Sequence, residues 1–494
     1  MAANENNKGV FVIFTGGTIG SMPKDPEDIE SPQVVVAWEK FIELTPQLGE
    51  KVLGFRVDAY STEPLDSCNI GPKEWKEMVD AIKKNYDNYE GFVILHGTDT
   101  MVYTASALSF MLQTLGKPVI VTGAQLAHLF NDRNDAFQNM ITSIQIANAK
   151  YYKLPVIPEV CICFNGKLLR GNRTRKLNAS GFDAYQTPNY PPLAVAGESI
   201  LVDERLIRKV SQNKVFTTRT RLETNVVAIH FFPGIQEGPI LEKILSEPNL
   251  KGVVLMAYGA GNIPTKPEKV LKLIKEVTDR GVVVLDVTQC GGGKVELGMY
   301  ETSQMLLDIG VVSGVDITPE AALTKLMFLL GDPDMSPHEV ALKVQQDIAG
   351  EQSLSIYTTE FKSKGSIDTT NPRHRIPAAN IEEAWGSPDE IDRIILRFRN
   401  GKIQKEDKKD KDIYAEIKLF INITDEELDE NSPNYLGVFR KLPNDDPTIL
   451  FFDITVRAKK ILGNRASFTV VISSPGSTFS WESVELAVFK KETL

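Results

Sequence analysis

The chain has 494 residues, of which 42% are hydrophobic and 24% are charged, so it is long enough for two or three globular domains. The net charge of −10 argues against a nucleic-acid partner, because binding to phosphates normally requires a basic surface. No apolar run reaches the ~18 residues of a membrane span, residues 1–8 are too polar for a signal peptide, and four cysteines do not suggest a disulfide framework. We therefore expect a cytoplasmic protein without a membrane partner.

Strand-like and helix-like segments alternate over residues 9–165. Runs rich in Val, Ile and Phe predict strands at 9–14, 91–95, 118–122 and 159–164, and helical periodicity predicts helices at 73–86, 105–115 and 134–149. This alternation predicts a doubly wound, mainly parallel sheet. Residues 180–223 contain three prolines and few periodic runs, which predicts a loop or linker.

A second and smaller α/β unit follows. Its predicted strands are 226–230, 252–257 and 282–287, and its predicted helices are 267–280 and 319–330. Both helices end before a glycine, which is a common helix terminator. This unit is expected to close near residue 360.

The pattern changes from about residue 365. Apolar and polar residues alternate with period two in 413–422, 452–459 and 484–488, which is typical of half-buried antiparallel strands. The pair Asn400-Gly401 predicts a hairpin turn, and the highly charged segment 402–412 predicts a solvated hairpin or loop. We interpret this region as an all-β appendage.

The fold class is therefore α/β with an added β region. We predict a doubly wound, mainly parallel α/β domain at 1–200, a linker at 201–223, a second α/β domain at 224–360 and an all-β, sandwich-like domain at 365–494. No internal repeat is evident in the sequence.

Two loops rich in glycine and threonine follow buried strands of the first domain. One is the Thr-Gly-Gly-Thr-Ile-Gly run at 15–20, and the other is the His-Gly-Thr-Asp-Thr run at 96–100. Parallel sheets bring such loops together at the carboxyl ends of their strands, where open α/β proteins bind ligands. A threonine hydroxyl needs a nearby base or an electropositive setting to act as a nucleophile. The pairing of Thr18 with Thr98 and Asp99 therefore suggests nucleophilic chemistry.

Each of these features also has a structural interpretation. The first loop lacks the spacings of the glycine-rich phosphate-binding motifs, and glycine and threonine are common in turns without chemistry. Lys176 could deprotonate or polarise a threonine, but four cations in 170–176 more often form a solvated or phosphate-binding loop. His96 is interpreted either as a site residue or as a structural hydrogen-bonding group. The histidines and cysteines show no ligand spacing, so no metal site and no cofactor are predicted.

These segments together resemble the bacterial-type L-asparaginase family, in particular its cytoplasmic type I branch. The two loops carry the resemblance, which extends over roughly residues 9–350. Further matching motifs lie at 116–125, 170–176, 258–262, 288–290 and 318–326. Several long motifs in the family's order make a chance match implausible.

The resemblance implies catalytic roles for four residues. Thr18 matches the family's nucleophile, which attacks the side-chain amide carbon and forms an acyl-enzyme. Thr98, Asp99 and Lys176 match a second triad that activates a water or relays the proton. Asp99 also matches the carboxylate that binds the substrate's α-ammonium group.

The resemblance also implies a substrate pocket. Ser67 matches the serine that binds the α-carboxylate, and Gly17, Gly97 and Ala124 match parts of the pocket that are lined by backbone. Asn262 matches an asparagine that the neighbouring subunit contributes. The resemblance therefore implies a homodimer or homotetramer with a small-molecule substrate, L-asparagine.

The sequence departs from the family pattern in three places. Residues 21–40 contain no tyrosine, whereas family members usually have one there that assists the nucleophile. The type I branch often has an allosteric asparagine site, at which Cys290 is present but Arg175 stands where a threonine is usual. The β appendage has no counterpart in the usual family architecture.

The function implied is hydrolysis of L-asparagine to L-aspartate and ammonia without a cofactor. One alternative is the amidase subunit of an archaeal-type tRNA-dependent amidotransferase, which the acidic composition suits poorly. A second alternative is a non-catalytic asparagine-binding sensor, which the missing loop tyrosine would favour.

Overall fold

The structure is a computed structural model that describes most of the chain. The described residues are 8–25, 28, 31, 33–45, 53–126, 134–209, 215–266, 268–297, 301–381, 387–405, 414–422, 428, 430–441, 444, 448–461, 465–474 and 477–492. Part of the loop 21–40 and most of the charged segment 402–412 lie outside these residues. Within them, no helix has the length and apolar character needed to cross a membrane.

The first α/β unit contains fourteen of the described strands and five of the described helices. The strands are β1 (Val10–Gly16), β2 (Ser21–Pro23), β3 (Gln33–Val35), β4 (Val57–Leu65), β5 (Gly91–Leu95), β6 (Leu112–Gln113), β7 (Val119–Thr122), β8 (Val160–Phe164), β9 (Lys167–Arg170), β10 (Arg175–Lys176), β11 (Tyr185–Gln186), β12 (Ala194–Ala196), β13 (Ile200–Val202) and β14 (Thr217–Thr218). The helices are α1 (Trp38–Leu44), α2 (Pro72–Asn85), α3 (Met101–Met111), α4 (Ala136–Ala147) and α5 (Ala149–Tyr152).

Eight of these strands form one mixed sheet in the order β13-β12-β9-β8-β7-β5-β1-β4. Pairing is parallel from β4 to β8 and antiparallel from β8 to β13. Every residue of β1, β5, β7 and β8 is buried, because helices cover both faces of the sheet. Alternate residues of β1 therefore join two separate hydrophobic cores, with Val12 and Phe14 in one and Phe11 and Ile13 in the other.

The second α/β unit is a four-stranded parallel sheet with its helices. The strands are β15 (Val226–His230), β16 (Gly252–Ala257), β17 (Val283–Thr288) and β18 (Val312–Ser313), in sequential order. The helices are α6 (Ile240–Leu245), α7 (Lys269–Asp279), α8 (Glu301–Asp308), α9 (Pro319–Leu330) and α10 (Pro337–Lys343). Phe110 on α3 stacks on Phe328 on α9 with ring centroids 6.1 Å apart. The hydrophobic core that contains Phe11 and Ile13 therefore continues into this unit.

The C-terminal region is an antiparallel sandwich. Its elements are β19 (Leu354–Phe361), β20 (Gly365–Ile367), β21 (Arg373–Asn380), β22 (Ile391–Lys405), β23 (Ala415–Ile421), β24 (Tyr435–Lys441), β25 (Thr448–Asp453), α11 (Thr455–Ile461), β26 (Arg465–Ile472), β27 (Ser477–Trp481) and β28 (Ser483–Lys491). One sheet has the order β19-β28-β22-β27-β20, with β25 also paired to β22, and the other has the order β21-β26-β23-β24. Both sheets contribute apolar side chains to one separate core, which confirms the predicted all-β character.

Three local predictions are wrong. Residues 180–223 are not simply a linker, because β12 and β13 form a hairpin that extends the first sheet. Residues 452–459 are a strand only as far as Asp453, after which α11 begins. The pair Asn400-Gly401 forms a β-bulge and not the predicted hairpin turn. Asn400 has φ +50 and lies within the continuous strand β22, at the point where its register with β25 shifts.

The boundary between the second α/β unit and the C-terminal region also differs from the predicted one near residue 360. The strand β19 ends at Phe361 and pairs along its whole length with β28. The C-terminal sheet therefore begins at Leu354, before that predicted boundary.

Candidate active site

The first candidate loop follows β1 and contacts the second loop through glycine. Gly17 has φ +78, which L side chains rarely adopt, and it leads into the 3-10 turn Thr18–Gly20. A Cβ atom at Gly17 would lie 2.4 Å from the Cα atom of Gly97, so the backbones of the two loops touch. Ser21 Oγ donates a hydrogen bond to Gly17 O at 2.9 Å and stabilises the turn that presents Thr18.

Ser67 joins these two loops from the end of β4. It begins the 3-10 turn Ser67–Asn69 and is 2% exposed. A Cβ atom at Gly97 would lie 2.7 Å from Ser67 Oγ. Thr100 Oγ1 donates to Ser67 O at 2.6 Å. The loops after β1, β4 and β5 therefore meet at one edge of the first sheet, as the parallel arrangement predicted.

Lys176 brings a positive charge to the same edge. Its Nζ atom donates to Thr98 Oγ1 at 2.9 Å and to Asp99 Oδ1 at 2.7 Å. The Lys176 side chain is 14% exposed, whereas that of Asp99 is 70% exposed. While the ammonium group is charged it can only donate, so the proton of the Thr98 hydroxyl remains available for another acceptor.

Tyr185 holds the backbone of Thr98 in place. It lies opposite Lys176 in the β10–β11 pair, and its hydroxyl donates to Thr98 O at 2.5 Å. Burial, with a smaller contribution from the charge of Asp99, raises the pKa of Tyr185 above its ordinary value. The phenol is therefore neutral and acts as a fixed donor to the Thr98 backbone.

His96 holds the second loop in place through a chain of hydrogen bonds. Trp75 Nε1 donates to Thr104 Oγ1 at 2.9 Å, and the Thr104 hydroxyl in turn lies 2.9 Å from His96 Nε2. The other ring nitrogen, Nδ1, lies 2.6 Å from Gly97 O. One neutral tautomer satisfies every group, with Nδ1 donating and Nε2 accepting. Burial lowers the pKa of His96 to about 4, so its role here is structural.

Ala124 lies on a fourth loop, after β7, and is fully buried. A Cβ atom at the preceding Gly123 would lie 2.3 Å from His96 O, so this loop packs directly on the second one. The backbone at Ala124 is therefore adjacent to the loop that carries Thr98.

The remaining predicted residues involve the second unit. Arg175 Nε lies 3.4 Å from Glu320 Oε1, and Arg175 Nη1 lies 3.5 Å from Cys290 O. Arg175 and Cys290 are therefore neighbours across the junction of the two units. Asn262 lies in a tight turn of the second unit, in which its backbone exchanges hydrogen bonds with that of Tyr258.

Sequence reasoning missed Tyr185 and Thr104 because their partners are distant in sequence. Tyr185 lies 87 residues from Thr98, and Trp75 lies 29 residues from Thr104. No local spacing signals such contacts. Thr104 is one of several hydroxyl-bearing residues in α3, so the sequence alone does not single it out.

The cluster is suited to nucleophilic chemistry on a small polar substrate. It combines hydroxyls, one ammonium, one carboxylate and the backbone N–H groups of glycine-containing loops. Among the described residues there is no group of three His, Cys, Asp or Glu side chains placed to hold a metal ion.

Comparisons with known proteins locate the similarity in the two α/β units. One family model, asparaginase N-terminal, matches residues 9–208, and another, the glutaminase/asparaginase C-terminal domain, matches residues 225–341. L-asparaginase 1 of Escherichia coli (strain K12) is 40% identical over 349 residues, which cover 70% of this chain and 98% of that protein. The 60 kDa lysophospholipase of Mus musculus is 34% identical over 364 residues, which cover 70% of this chain and 62% of that protein. The crystal structure of L-asparaginase I from Vibrio cholerae O1 matches with a TM-score of 0.61 at 37% identity, covering 70% of this chain and 99% of that one.

Proposed function

The chain belongs to the L-asparaginase family, and from this premise we propose that it hydrolyses L-asparagine to L-aspartate and ammonia through a threonine acyl-enzyme. The membership confirms the resemblance seen in the motifs, including that to the type I branch. The observation that carries the proposal is the pair of hydrogen bonds from Lys176 Nζ to Thr98 Oγ1 and Asp99 Oδ1.

In the first step Thr18 Oγ1 attacks the side-chain amide carbon of asparagine. Backbone N–H groups of the two glycine-containing loops stabilise the oxyanion that forms. Residues 21–40 contain no tyrosine, so a water molecule or a tyrosine from another segment receives the hydroxyl proton. That proton reaches the amide nitrogen as the C–N bond breaks, so ammonia leaves and an acyl ester on Thr18 remains.

In the second step water hydrolyses the acyl ester. The Thr98 oxygen accepts a hydrogen bond from Lys176 at 2.9 Å, and its own proton can move toward an acceptor in the site. Thr98 and Lys176 thereby orient the water and relay its proton to Thr18 Oγ1 as the ester bond breaks. L-Aspartate leaves and the Thr18 hydroxyl is restored.

The zwitterionic end of the substrate is bound by Asp99 and Ser67. The exposed carboxylate of Asp99 binds the α-ammonium group, and Ser67 binds the α-carboxylate. Gly17, Gly97 and Ala124 line the pocket with backbone. Glutamine is a poorer substrate because its extra methylene, worth ~1–3 kcal/mol in apolar contacts, displaces the amide carbon from Thr18.

The proposal extends to the assembly. We assign the active form as a cytoplasmic homodimer or homotetramer in which Asn262 reaches the neighbouring subunit's site. The division into two α/β domains and a C-terminal β domain belongs to the same proposal, with the last boundary at Leu354 instead of between residues 360 and 365. Arg175 and Cys290 are assigned to a possible allosteric asparagine site, where Arg175 is already paired with Glu320.

Ammonia release from the purified chain tests the proposal. We expect release with L-asparagine and much less with L-glutamine, in the absence of any partner or tRNA. Asparagine binding without release would instead support a sensor, and release only with a partner and tRNA would support an amidotransferase subunit. A sigmoidal dependence on asparagine concentration would support the allosteric assignment, and a hyperbolic one would remove it.

A further inference from the structure

Residues 345–353 connect the second α/β unit to the C-terminal sandwich, and we call this segment the strap. It follows α10 and ends directly before the first residue of β19. It lies beyond residue 341, where the family models end. The strap bonds both α/β units, so its role is not confined to linking the sandwich to the rest of the chain.

A buried lysine of the second unit anchors the strap. Lys325 lies on α9, and its side chain and that of Glu351 are both fully buried. Its Nζ atom lies 2.5 Å from Glu351 Oε1 and donates to Gln352 Oε1 at 3.0 Å. The Glu351 carboxylate also accepts hydrogen bonds from the backbone N–H groups of Ile348 and Ala349. These buried groups match one another, which holds the strap in one conformation.

Arg173 joins the strap to the loop that carries Lys176. It ends a 3-10 turn and is only 2% exposed. Its Nε atom donates to Gly350 O at 2.9 Å, and its Nη2 atom donates to Ser353 Oγ at 2.9 Å. Its Nη1 atom donates to Asp316 Oδ2 of the second unit at 2.8 Å. Because a guanidinium is planar and rigid, these three contacts fix its position and its orientation.

Two further sets of contacts hold the same junction. Asn172 Nδ2 donates to Ala349 O at 2.8 Å. Ser353 donates from its backbone N–H to Asp316 Oδ1 at 2.7 Å and from its hydroxyl to Asp316 Oδ2 at 2.5 Å. The Ser353 hydroxyl therefore bridges the guanidinium of Arg173 and the carboxylate that pairs with it.

Only two residues separate Arg173 from Lys176. The first is Thr174, whose hydroxyl donates to Arg170 O at 2.7 Å and closes the turn. The second begins β10, in which Lys176 is the last residue. Because the connection is so short, a shift of the turn displaces Lys176 Nζ from Thr98 Oγ1.

We propose that Arg173 and Ser353 are positioning residues for the second step of the reaction. Together with the strap they hold the backbone at Lys176, so that its Nζ atom stays 2.9 Å from Thr98 Oγ1. The inference rests on the proposed function, in which Lys176 and Thr98 act on the water that hydrolyses the acyl ester. The hydrolytic unit of this chain therefore extends to Ser353, past the family models but short of the sandwich.

A positioning role has a kinetic signature that a loss of stability lacks. Displacement of Lys176 slows hydrolysis of the acyl ester but not its formation. The parameter kcat/KM reports on steps up to the departure of ammonia, so it stays unchanged while kcat and KM fall by the same factor. The acyl-enzyme then accumulates, and ammonia appears in a burst before the steady state.

Arg173→Lys tests the proposal. The variant keeps the charge beside Asp316, but an ammonium group lacks the planar fork that bonds Gly350 O and Ser353 Oγ. We expect kcat to fall by about 10- to 100-fold, because small displacements of a reacting group have costs of that order. KM should fall in parallel, with an ammonia burst that approaches the concentration of active sites. A normal kcat, or a fall in kcat/KM without a burst, would overturn the proposal.

A second pair of variants covers the case in which Arg173→Lys does not fold. Ser353→Ala removes the bridging hydroxyl and should give the same burst with a smaller, few-fold fall in kcat. Ser353→Thr keeps the hydroxyl and should restore the kinetics of the unaltered chain. Ser336→Ala is the matched control, because the Ser336 hydroxyl bonds Glu339 at the start of α10 in the second unit. It should lower the unfolding midpoint without a burst, and equal kinetics of Ser353→Ala and Ser336→Ala would contradict the proposal.

The unaltered chain separates a failure of this inference from a failure of the proposed function. If it releases no ammonia from L-asparagine, the proposed function fails and the inference falls with it. If it hydrolyses L-asparagine while Arg173→Lys and Ser353→Ala behave like Ser336→Ala, the inference alone fails.

Discussion

Buried polar side chains have hydrogen-bond partners at the edge of the first sheet, whereas some at the border of the C-terminal sandwich keep unmatched atoms. At the sheet edge, the side chains of His96, Thr98 and Lys176 each have hydrogen-bond partners, and those of Lys176 come from a distant segment. In the sandwich the core is apolar, and Arg397 and Glu485 are buried at its border with unmatched atoms. The difference follows from topology, because parallel strands gather loops at one end, whereas antiparallel alternation separates apolar from polar faces.

The comparison also separates the roles of the two regions. The family models end at residue 341, before the sandwich begins at β19. Hydrolysis is therefore assigned to the sheet edge, and the sandwich is connected to it through contacts of the second unit. One such contact is the hydrogen bond from Ile449 N to Asp308 Oδ1 at 3.0 Å.

The largest effect on this comparison is expected from removal of the proposed nucleophile, Thr18. We expect Thr18→Ala to lower kcat by about 10³-fold or more, because no other group then forms the acyl ester. The fold should persist, since the turn is stabilised by Ser21 and the glycines rather than by the Thr18 side chain. Thr18→Ser is the control at the same position, since it keeps the hydroxyl group and should retain much of the activity. Ammonia release measures the effect, and a near-normal kcat in Thr18→Ala would remove Thr18 from the mechanism.

Removal of the ammonium group should have the next largest effect. Lys176→Met should lower kcat by about 10²–10⁴-fold, which is the usual contribution of a proton-transfer group. Lys167→Met is the control, because Lys167 forms only a partly exposed ion pair with Asp183, which lies before β11. If both variants retain activity within a few-fold, the Lys176–Thr98 contact is structural.

The buried hydrogen-bond chain at His96 should make the first unit sensitive to acid. Because the folded pKa is lowered from 6.5 to about 4, stability should be fully present above pH 6.5 and be lost as the pH falls toward 4. A shift of that size corresponds to about 3 kcal/mol in the free energy of unfolding. Urea titrations at several pH values should show this loss in the unaltered chain and much less in His96→Gln.

His230 offers the matched control for that experiment. It is exposed at the end of β15, so His230→Gln should leave the pH dependence unchanged. A slope that persists in His96→Gln would place the acid sensitivity on other groups.

The smallest effect on turnover is expected from removal of the sandwich. A chain ending at residue 353 keeps Ser353, whose backbone N–H and hydroxyl bond Asp316 of the second unit. Because the sandwich has its own core, kcat should change little, while the unfolding midpoint should fall. Ammonia release and thermal unfolding measure the two outcomes. A large loss of kcat in a folded truncated chain would show that the sandwich contributes to the site.

A truncated chain that is eight residues longer tests the same comparison. A chain ending at residue 361 keeps β19 without its partner β28. An unpaired strand edge favours association between chains, so this variant should aggregate more than the one ending at 353. Equal solubility of the two variants would contradict the assignment of β19 to the sandwich.

Local sequence patterns were sufficient to predict the bounds of several strands and of one helix. The predicted bounds of β5, β15, β16 and α9 are those of the structure. For α9 the reason is visible in its cap, since Thr318 Oγ1 accepts a hydrogen bond from Ala321 N and a proline follows at the first helical position. The two glycine-containing loops were predictable for the same reason, because each follows a continuous apolar strand.

Tertiary structure decided the contacts between segments that are far apart in sequence. The Lys176–Thr98 hydrogen bond joins residues 78 positions apart, and nothing in residues 170–176 alone distinguishes Lys176 from a solvated lysine. The segment after Asp453 is helical because Asp453 Oδ1 accepts a hydrogen bond from Thr455 N and the chain leaves the sheet there, although its alternation favoured a strand. Apolar periodicity and capping act over a few residues, whereas the partner of a buried polar group is fixed only when the strands are ordered in the sheet.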